Sequence, residues 1–229
     1  MKNSDYIIAQ STNTKNNAIK FYSPNKDIKV IPLGYESSSF KKVNRKNLGL
    51  EEDIIYTISV GRIIKRKGYD FLIKSIAKLN NPKVHALIIG NGPEKESLQK
   101  LSKELNIGSQ INFLGMVSEE KKFQYLSVSD IYILSSVHEG FGIVLQEAMQ
   151  VGLPIVATDN GGQVDFINDG QNGFLIRFGD DGGMKNSIER ILGNRNMKMK
   201  MSKENKKKVK EFGLGKIAKG YLEVVNGRL

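Results

Sequence analysis

Apolar runs that stop at glycine-rich turns constrain the fold of this 229-residue chain more than any other feature. Helical patterns separate the runs, and each run is followed by one or more glycines. This alternation is typical of a parallel sheet with helices on both faces, and parallel strands place such loops at one edge. The sequence therefore predicts an α/β fold, a Rossmann-like doubly wound parallel sheet of about six strands. The predicted strands are 54–60, 84–89, 111–114, 131–135, 154–158 and 173–178.

The charge balance favours anionic partners, because 35 Lys and Arg residues outnumber 24 Asp and Glu residues. Much of the excess lies in Arg195–Lys210, which is either a solvated helix face or a surface that adsorbs to anionic membranes. Nucleic acid is not expected, since no aromatic residues interleave these lysines. The absence of cysteine excludes disulfides, zinc–thiolate sites and cysteine nucleophiles.

Targeting signals are not evident in the sequence. No apolar run approaches the roughly 18 residues that span a bilayer. Met1–Thr12 carries Asp5 and Gln10 beside its short apolar patch, unlike a signal peptide. We expect a cytoplasmic protein, with the inner face of the membrane as a second location if the basic segment adsorbs there.

Two glutamates, Glu139 and Glu147, flank the glycine-rich turn that follows the fourth predicted strand. A strand, a glycine turn and a helix start form a socket for an anionic ligand. Two carboxylates would repel phosphate, so their expected targets are sugar hydroxyls, which donate hydrogen bonds to carboxylates. A pocket that holds both phosphate and sugar predicts a nucleotide-sugar ligand.

A second glycine-bounded loop, Gly61 to Gly68, carries Arg62 and Lys67 near a helix start. Two cations at this place can neutralise a diphosphate without a metal, so we expect no metal and no cofactor. A basic surface loop is the alternative for this segment alone, and Lys65 and Arg66 are expected to face solvent.

The turn Gly90-Asn91-Gly92-Pro93 resembles a dinucleotide fingerprint only superficially. Lys95 occupies the position of the third glycine in G-x-G-x-x-G, and a tight turn explains the motif. A nicotinamide-dependent oxidoreductase is therefore not favoured.

In this order, the motifs resemble the C-terminal, donor-binding half of family 4 retaining glycosyltransferases of the GT-B fold, also called glycosyl transferases group 1. Glu139 and Glu147 match the E-x7-E motif of that family. The other matching segments are 30–34, 59–62, 67–68, 89–93, 113–115, 148–149, 154–158, 161–162 and 169–173.

The resemblance implies a role for each site residue. Arg62 and Lys67 would bind the diphosphate of a UDP- or GDP-linked donor, and with Glu139, which would hold the transferred sugar, they form the predicted catalytic set. Glu147 would accept from the ribose hydroxyls. The other predicted substrate-binding residues are Gly61, Gly90, Gly92, Met116, Val117, Gly140, Phe141, Gly142 and Ile143.

The same resemblance divides the chain into three parts: 1–45 as the remnant of a preceding N-terminal domain plus linker, 46–212 as the nucleotide-sugar-binding domain, and 213–229 as a C-terminal helix. An acceptor domain would then be absent, and with it most contacts to an acceptor glycan or lipid-linked glycan. The chain would be a truncated protein, a fragmentary gene product or half of a split enzyme. Asp165 departs from the glutamate that the family usually has in that neighbourhood.

Three functions are compatible with these observations. The first is sugar transfer with retention of anomeric configuration, together with a partner domain. The second is a non-catalytic nucleotide-sugar-binding or scaffold subunit of a split glycosyltransferase. The third is the disfavoured oxidoreductase, which binding of NAD would support.

Overall fold

The computed structural model describes residues 4–227, so the outer ends of the predicted segments 1–45 and 213–229 lie outside the described residues. Within that range, eight strands and eight α-helices follow one another. The strands are β1 Ile7–Ala9, β2 Ile28–Val30, β3 Ile55–Val60, β4 Val84–Ile89, β5 Ile111–Gly115, β6 Ile131–Leu134, β7 Ile155–Thr158 and β8 Gly173–Ile176. The helices are α1 Thr12–Tyr22, α2 Tyr69–Leu79, α3 Lys95–Glu104, α4 Glu119–Val128, α5 Ile143–Val151, α6 Asp181–Leu192, α7 Arg195–Lys208 and α8 Leu214–Val225.

Strands β3 to β8 form one parallel sheet in the order β5-β4-β3-β6-β7-β8, which confirms the predicted fold class. The strand order reverses between β3 and β6, and such a switch point opens a crevice outside the strand ends. The ladder between these two strands covers only two residue pairs, Thr57–Ile131 and Ile58–Tyr132. Beyond it, the Ser59 hydroxyl donates to the Ile133 carbonyl at 2.6 Å.

Both faces of the sheet are buried, as a doubly wound sheet requires. Along β6, Ile131 and Ile133 pack into the cluster that contains the apolar face of α2. The alternate residues, Tyr132 and Leu134, join the opposite cluster with α5. The period of two in β6 therefore fixes the sheet between two helical layers and holds the loops at its carboxyl edge in place.

Helix α6 was not predicted, and the sequence explains why. It begins Asp181-Gly182-Gly183, and glycine disfavours helix by about 1 kcal/mol per residue relative to alanine. Asp180 compensates by accepting a hydrogen bond from the Gly183 amide at 2.8 Å. Burial of one face, at Met184, Ser187, Ile188 and Ile191, then stabilises the helix.

The two ends of the described chain form a separate layer beside the sheet. β1 pairs with β2 in parallel, and the backbone amide of Tyr35 donates to the Phe212 carbonyl at 2.7 Å. Helix α1 buries no residue, and α8 buries Val224 alone among those described. Several large apolar side chains of this layer are exposed: Tyr6, Ile19, Phe21, Tyr22, Val30, Leu214, Tyr221, Leu222 and Val225. Among residues 4–227, no helix combines the length and the apolar character needed to cross a bilayer.

Candidate active site

A cleft of about 510 Å³ lies at the switch point, where the loops that follow β3 and β6 meet. Gln10 and Leu33 of the N-terminal segment close one side of it. Six predicted site residues line the cleft: Lys67, Glu139, Gly140, Phe141, Gly142 and Ile143. Segments 72 residues apart in sequence therefore share one cavity, as the glycine pattern predicts.

Lys67 and Glu139 are in direct contact within this cleft. The Lys67 ammonium donates to Glu139 Oε2 at 2.5 Å, and their side chains are 13% and 12% exposed. Arg66 Nη1 lies 3.9 Å from Glu139 Oε1 and donates to the His138 carbonyl at 2.6 Å. Arg66 was expected to face solvent; its side chain is half-exposed, yet the guanidinium reaches the cleft.

The backbone holds Lys67 in position through its neighbour Gly68. Gly68 has φ +61°, and a Cβ there would lie 2.1 Å from the Ser135 carbonyl oxygen. The Ser135 hydroxyl in turn donates to the Lys67 carbonyl at 2.9 Å. Only glycine permits this close approach of the two loops, so the Gly68 conformation brings Lys67 to the end of β6.

The N-terminus of α5 faces the same cleft. Gly142 precedes the helix with φ +96°, and no side chain caps it. The first amides of an α-helix have no intrahelical acceptor, and the helix dipole makes this end favourable for an anion. Phe141 keeps its ring in the core, 4.7 Å from the Phe166 ring, so the backbone is the part of this turn available to a ligand.

Glu147 lies on α5 one turn after Ile143 and is 8% exposed. Lys122 of α4 donates to Glu147 Oε1 at 2.8 Å. Burial raises the pKa of Glu147 above its ordinary value, although the ion pair with Lys122 opposes this effect. Its second oxygen, Oε2, is buried and accepts no hydrogen bond from any described residue. An unpaired buried acceptor is costly and indicates that a ligand or water donates to it.

Lys122 was not predicted from the sequence. It is 8% exposed and also donates to both carboxylate oxygens of Glu119, at 2.9 and 2.7 Å. A signal was present, because Lys122 and Leu126 are four residues apart on the buried stripe of α4. A lysine on such a stripe requires a buried carboxylate partner.

The other predicted residues, Glu147 included, are not part of the cleft lining. Arg62 follows β3 and is exposed, and its side chain makes no hydrogen bond or salt bridge with the residues that the structure describes. Met116 is 78% exposed and Val117 packs partly against the core. Their contacts with a ligand stay predictions.

Gly61, Gly90 and Gly92 bring two loops together. Gly90 has φ +139°, and a Cβ there would lie 2.0 Å from the Gly61 carbonyl oxygen. A Cβ on Gly92 would lie 2.2 Å from the carbonyl oxygen of Ile63. These contacts give the glycines a structural role, and a direct contact with substrate stays a prediction.

The N-terminal segment is attached to the cleft loop. The Ser11 hydroxyl donates to the Gly140 carbonyl at 2.9 Å, and the Thr12 amide donates to Asp165 Oδ2 at 2.7 Å. Asp165, which departs from the family pattern, therefore binds the N-terminus of α1, where a carboxylate is favoured.

Metal ligands do not cluster in the part of the chain that the structure describes: no group of three or more His, Asp or Glu side chains is suitably placed. The expectation of metal-free chemistry stays a prediction.

A known family model matches most of this chain. The model described as "Glycosyl transferases group 1" matches residues 40–208. The chain belongs to this family. The match supports the glycosyltransferase resemblance inferred from the sequence motifs, and the parallel six-stranded sheet agrees with it.

Two curated relatives illustrate the similarity. The lipopolysaccharide core biosynthesis glycosyltransferase LpsE of Rhizobium meliloti is 29% identical over 201 residues, which cover 87% of this chain and 58% of that protein. The N-acetyl-alpha-D-glucosaminyl L-malate synthase of Bacillus anthracis is 28% identical over 227 residues, with 96% and 59% covered. The chain thus spans somewhat more than half the length of these relatives.

Solved structures agree on the fold. Sucrose-phosphate synthase from Thermosynechococcus elongatus superposes with a TM-score of 0.88 at 26% identity, covering 99% of this chain and 59% of the other. Anabaena HepE, solved in complex with UDP-glucose, gives 0.87 at 23% identity, with 98% and 64% covered.

Proposed function

We propose that this chain is the donor-binding, C-terminal half of a family 4 retaining glycosyltransferase, which transfers a sugar from a nucleoside diphosphate to an acceptor hydroxyl. The observation that carries the proposal is the arrangement around α5. Lys67 and Glu139 are in contact beside its uncapped N-terminus. One turn further along α5, Glu147 has a buried carboxylate oxygen that accepts no hydrogen bond from the described residues.

The charges around the cleft suit a nucleotide sugar. The donor diphosphate would lie against the α5 N-terminus and Lys67, with Arg62 joining from the end of β3. Glu139 would accept hydrogen bonds from the hydroxyls of the transferred sugar. Binding would convert the Lys67–Glu139 pair into Lys67–phosphate and Glu139–hydroxyl contacts, so each charge keeps a partner.

Transfer breaks the bond between the sugar and the diphosphate and forms a bond from the acceptor oxygen. The acceptor hydroxyl passes its proton to the departing diphosphate or to solvent, and negative charge develops on that diphosphate as the bond to the sugar breaks. Lys67, Arg62 and the α5 N-terminus would stabilise that charge, which is how fixed positive groups lower such a barrier. Retention and the lack of a metal follow from the family resemblance and are part of the proposal.

The donor is proposed to carry uridine or guanosine. HepE was solved with UDP-glucose, and its fold superposes on this chain, which supports a uridine nucleotide. The loop after β5, with Met116 and Val117, would contact the base.

A second domain is proposed to complete the site and to bind the acceptor glycan or lipid-linked glycan. Its support is the exposed apolar surface of the layer formed by β1, β2, α1 and α8, which is unusual for a solvent-facing surface of an isolated protein. That layer borders the cleft through Gln10 and Leu33. The sequence prediction that residues 1–45 derive from a preceding domain agrees with this surface.

The alternative is a non-catalytic nucleotide-sugar-binding or scaffold subunit. It shares the donor pocket with the main proposal, so donor binding alone does not separate the two. Transfer of radiolabelled sugar, assayed with the chain combined with its acceptor domain, separates them: loss of transfer in Glu139→Gln supports catalysis by this chain, whereas unchanged transfer supports the scaffold.

Contact with an anionic membrane is also proposed, through α7. Lys200, Lys203, Lys206 and Lys207 are exposed there, which is compatible with both a solvated helix face and a membrane-binding surface. Each lysine near an anionic surface contributes about 1 kcal/mol. Sedimentation with vesicles containing phosphatidylglycerol tests this: salt-sensitive binding supports it, and equal recovery with neutral vesicles contradicts it.

A thermal-shift panel of UDP-, GDP- and ADP-sugars tests donor binding. A ligand at 100 times its Kd stabilises the native state by about 2.7 kcal/mol, which raises the Tm measurably. We expect one nucleotide class to raise the Tm of the wild type, and Glu147→Ala to lose most of that shift. Equal shifts in both proteins would refute the role of Glu147, and no shift with any donor would refute the proposed function.

A further inference from the structure

Lys122 is placed to control the carboxylate that the proposed function assigns to the ribose. It reaches Glu147 from α4, a different element from the cleft loops, with a distance of 2.8 Å between Nζ and Oε1. Of the salt bridges in residues 4–227, this is the one that Glu147 makes. We propose that Lys122 is a positioning residue that keeps Glu147 ionised and fixes it to receive the two ribose hydroxyls of a nucleoside diphosphate; the inference rests on the proposed function.

Geometry supports this assignment. Lys122 engages one Glu147 oxygen and leaves the other, Oε2, buried and without a donor among the described residues. The carboxylate is therefore held at one oxygen, and its other oxygen has no donor among the described residues. A vicinal diol donates hydrogen bonds and is a fitting partner for a free carboxylate edge.

The surrounding charges explain why a lysine is needed. Burial raises the pKa of Glu147, and Glu119 on α4, a second carboxylate close to it, raises that pKa further. Tyr35, in the segment after β2, and Tyr132, on β6, also lie near Glu147. Burial and this carboxylate raise the pKa of both phenols, so neither carries charge near neutrality. Lys122 is thus the one cation among these neighbours.

The lysine itself stays charged. Burial disfavours its ammonium form, but the hydrogen bonds to Glu119 and Glu147 outweigh that effect, and the pKa of Lys122 is raised. Glu119 therefore acts in two ways: it keeps Lys122 protonated, and it competes with Glu147 for the same ammonium.

The experiment measures ribose preference, the ratio of the Kd for 2′,3′-dideoxy-UDP to the Kd for UDP, by calorimetry on the full chain. If the thermal-shift panel selects a guanosine donor, 2′,3′-dideoxy-GDP and GDP replace the uridine ligands. Because both ligands carry the same diphosphate, its own titration cancels in the ratio. In the wild type, we expect a ratio of about 10 to 100, since hydrogen bonds to an ionised acceptor are strong.

Lys122→Met should lower the ratio about tenfold near neutrality. In this variant, the ribose preference should also disappear at a higher pH on acidification than in the wild type, because the Glu147 pKa rises further. In Glu119→Gln, the ribose preference should disappear at a lower pH than in the wild type, because a competing carboxylate is removed. Lys121 is the exposed neighbour of Lys122, so Lys121→Met is the matched control and should leave the ratio unchanged. Lys122→Arg should restore part of the ratio.

The outcomes separate the inference from the proposed function. If the wild type binds UDP and GDP no better than Glu147→Ala does, the proposed function fails. If the wild type prefers ribose but Lys122→Met keeps the same ratio and pH profile while its Tm falls, Lys122 is merely structural and the inference is overturned. Should Lys122→Met not fold, Glu119→Gln decides, and an unchanged pH profile in that variant overturns the inference.

Discussion

Two lysine–glutamate pairs flank helix α5, and their chemistry is the same but their surroundings differ. Lys67–Glu139 lies in an open cleft, and Glu139 has a second cation, Arg66, at 3.9 Å. Lys122–Glu147 lies between α4 and α5, where the second partner of the lysine is another carboxylate, Glu119. The first pair can exchange partners when an anion arrives, whereas the second holds a carboxylate in place. One pair is therefore suited to bind and release phosphate, and the other to position a binding group.

The largest effect is expected when the fixed pair is broken. Lys122→Met leaves the buried Glu147 charge unpaired, which costs about 3 kcal/mol of unfolding free energy. In this variant the folded-state pKa of Glu147 is raised well above its unfolded value. Below the unfolded-state pKa, the carboxyl is protonated in both states and the loss of stability disappears. The loss grows as the pH rises above the unfolded-state pKa, and it is complete once the pH has passed through the folded-state pKa.

Urea titrations at acidic and mildly alkaline pH measure this dependence, with Lys121→Met as the control of equal charge change. A loss of stability that is the same at both pH values would contradict the claim that Glu147 is ionised and depends on Lys122 as its charge partner.

The next effect concerns the exchangeable pair. Lys67→Met should weaken binding of the nucleoside diphosphate sugar about 10- to 100-fold, because a charge-assisted hydrogen bond to phosphate is lost. Its stability cost should be smaller, about 1 kcal/mol, since Arg66 and solvent can reach Glu139. Calorimetry measures the affinity, and uridine, which lacks the diphosphate, serves as the control ligand. An equal loss for uridine would show that the cleft has changed shape.

The smallest effect should come from Arg62. This exposed side chain has no protein partner among the described residues, so Arg62→Met should change the free energy of unfolding by less than about 0.5 kcal/mol. Donor affinity should still fall about tenfold if the guanidinium turns toward the diphosphate. Lys65→Met is the matched control from the same loop, and equal affinities of the two variants would remove Arg62 from the site.

The sequence predicted the sheet because its signals are local. Apolar runs and terminal glycines predicted the six strands, and the glycine-rich turn that precedes α5 was recognised. Helix α6 was missed because Gly182 and Gly183 disguise its first turn, which tertiary packing and the Asp180 cap stabilise.

For the site, sequence reasoning placed Lys67 and Glu139 together because each follows a strand that ends at the same edge. Lys122 was missed because its partner, Glu147, is 25 residues away on another helix, and no motif links them. The same limit applies to Asp165, whose bond to the Thr12 amide spans 153 residues. Contacts between helices depend on packing angles that a single sequence does not express.

The most direct test of the proposed donor site is a crystal structure of this chain soaked with the nucleoside diphosphate sugar that gives the largest thermal shift. We predict the diphosphate at the N-terminus of α5 within hydrogen-bond distance of Lys67, the sugar hydroxyls on Glu139, and a ribose hydroxyl on Glu147 Oε2. A nucleotide bound elsewhere, for example against the lysines of α7, with Lys67 still paired to Glu139, would contradict this prediction.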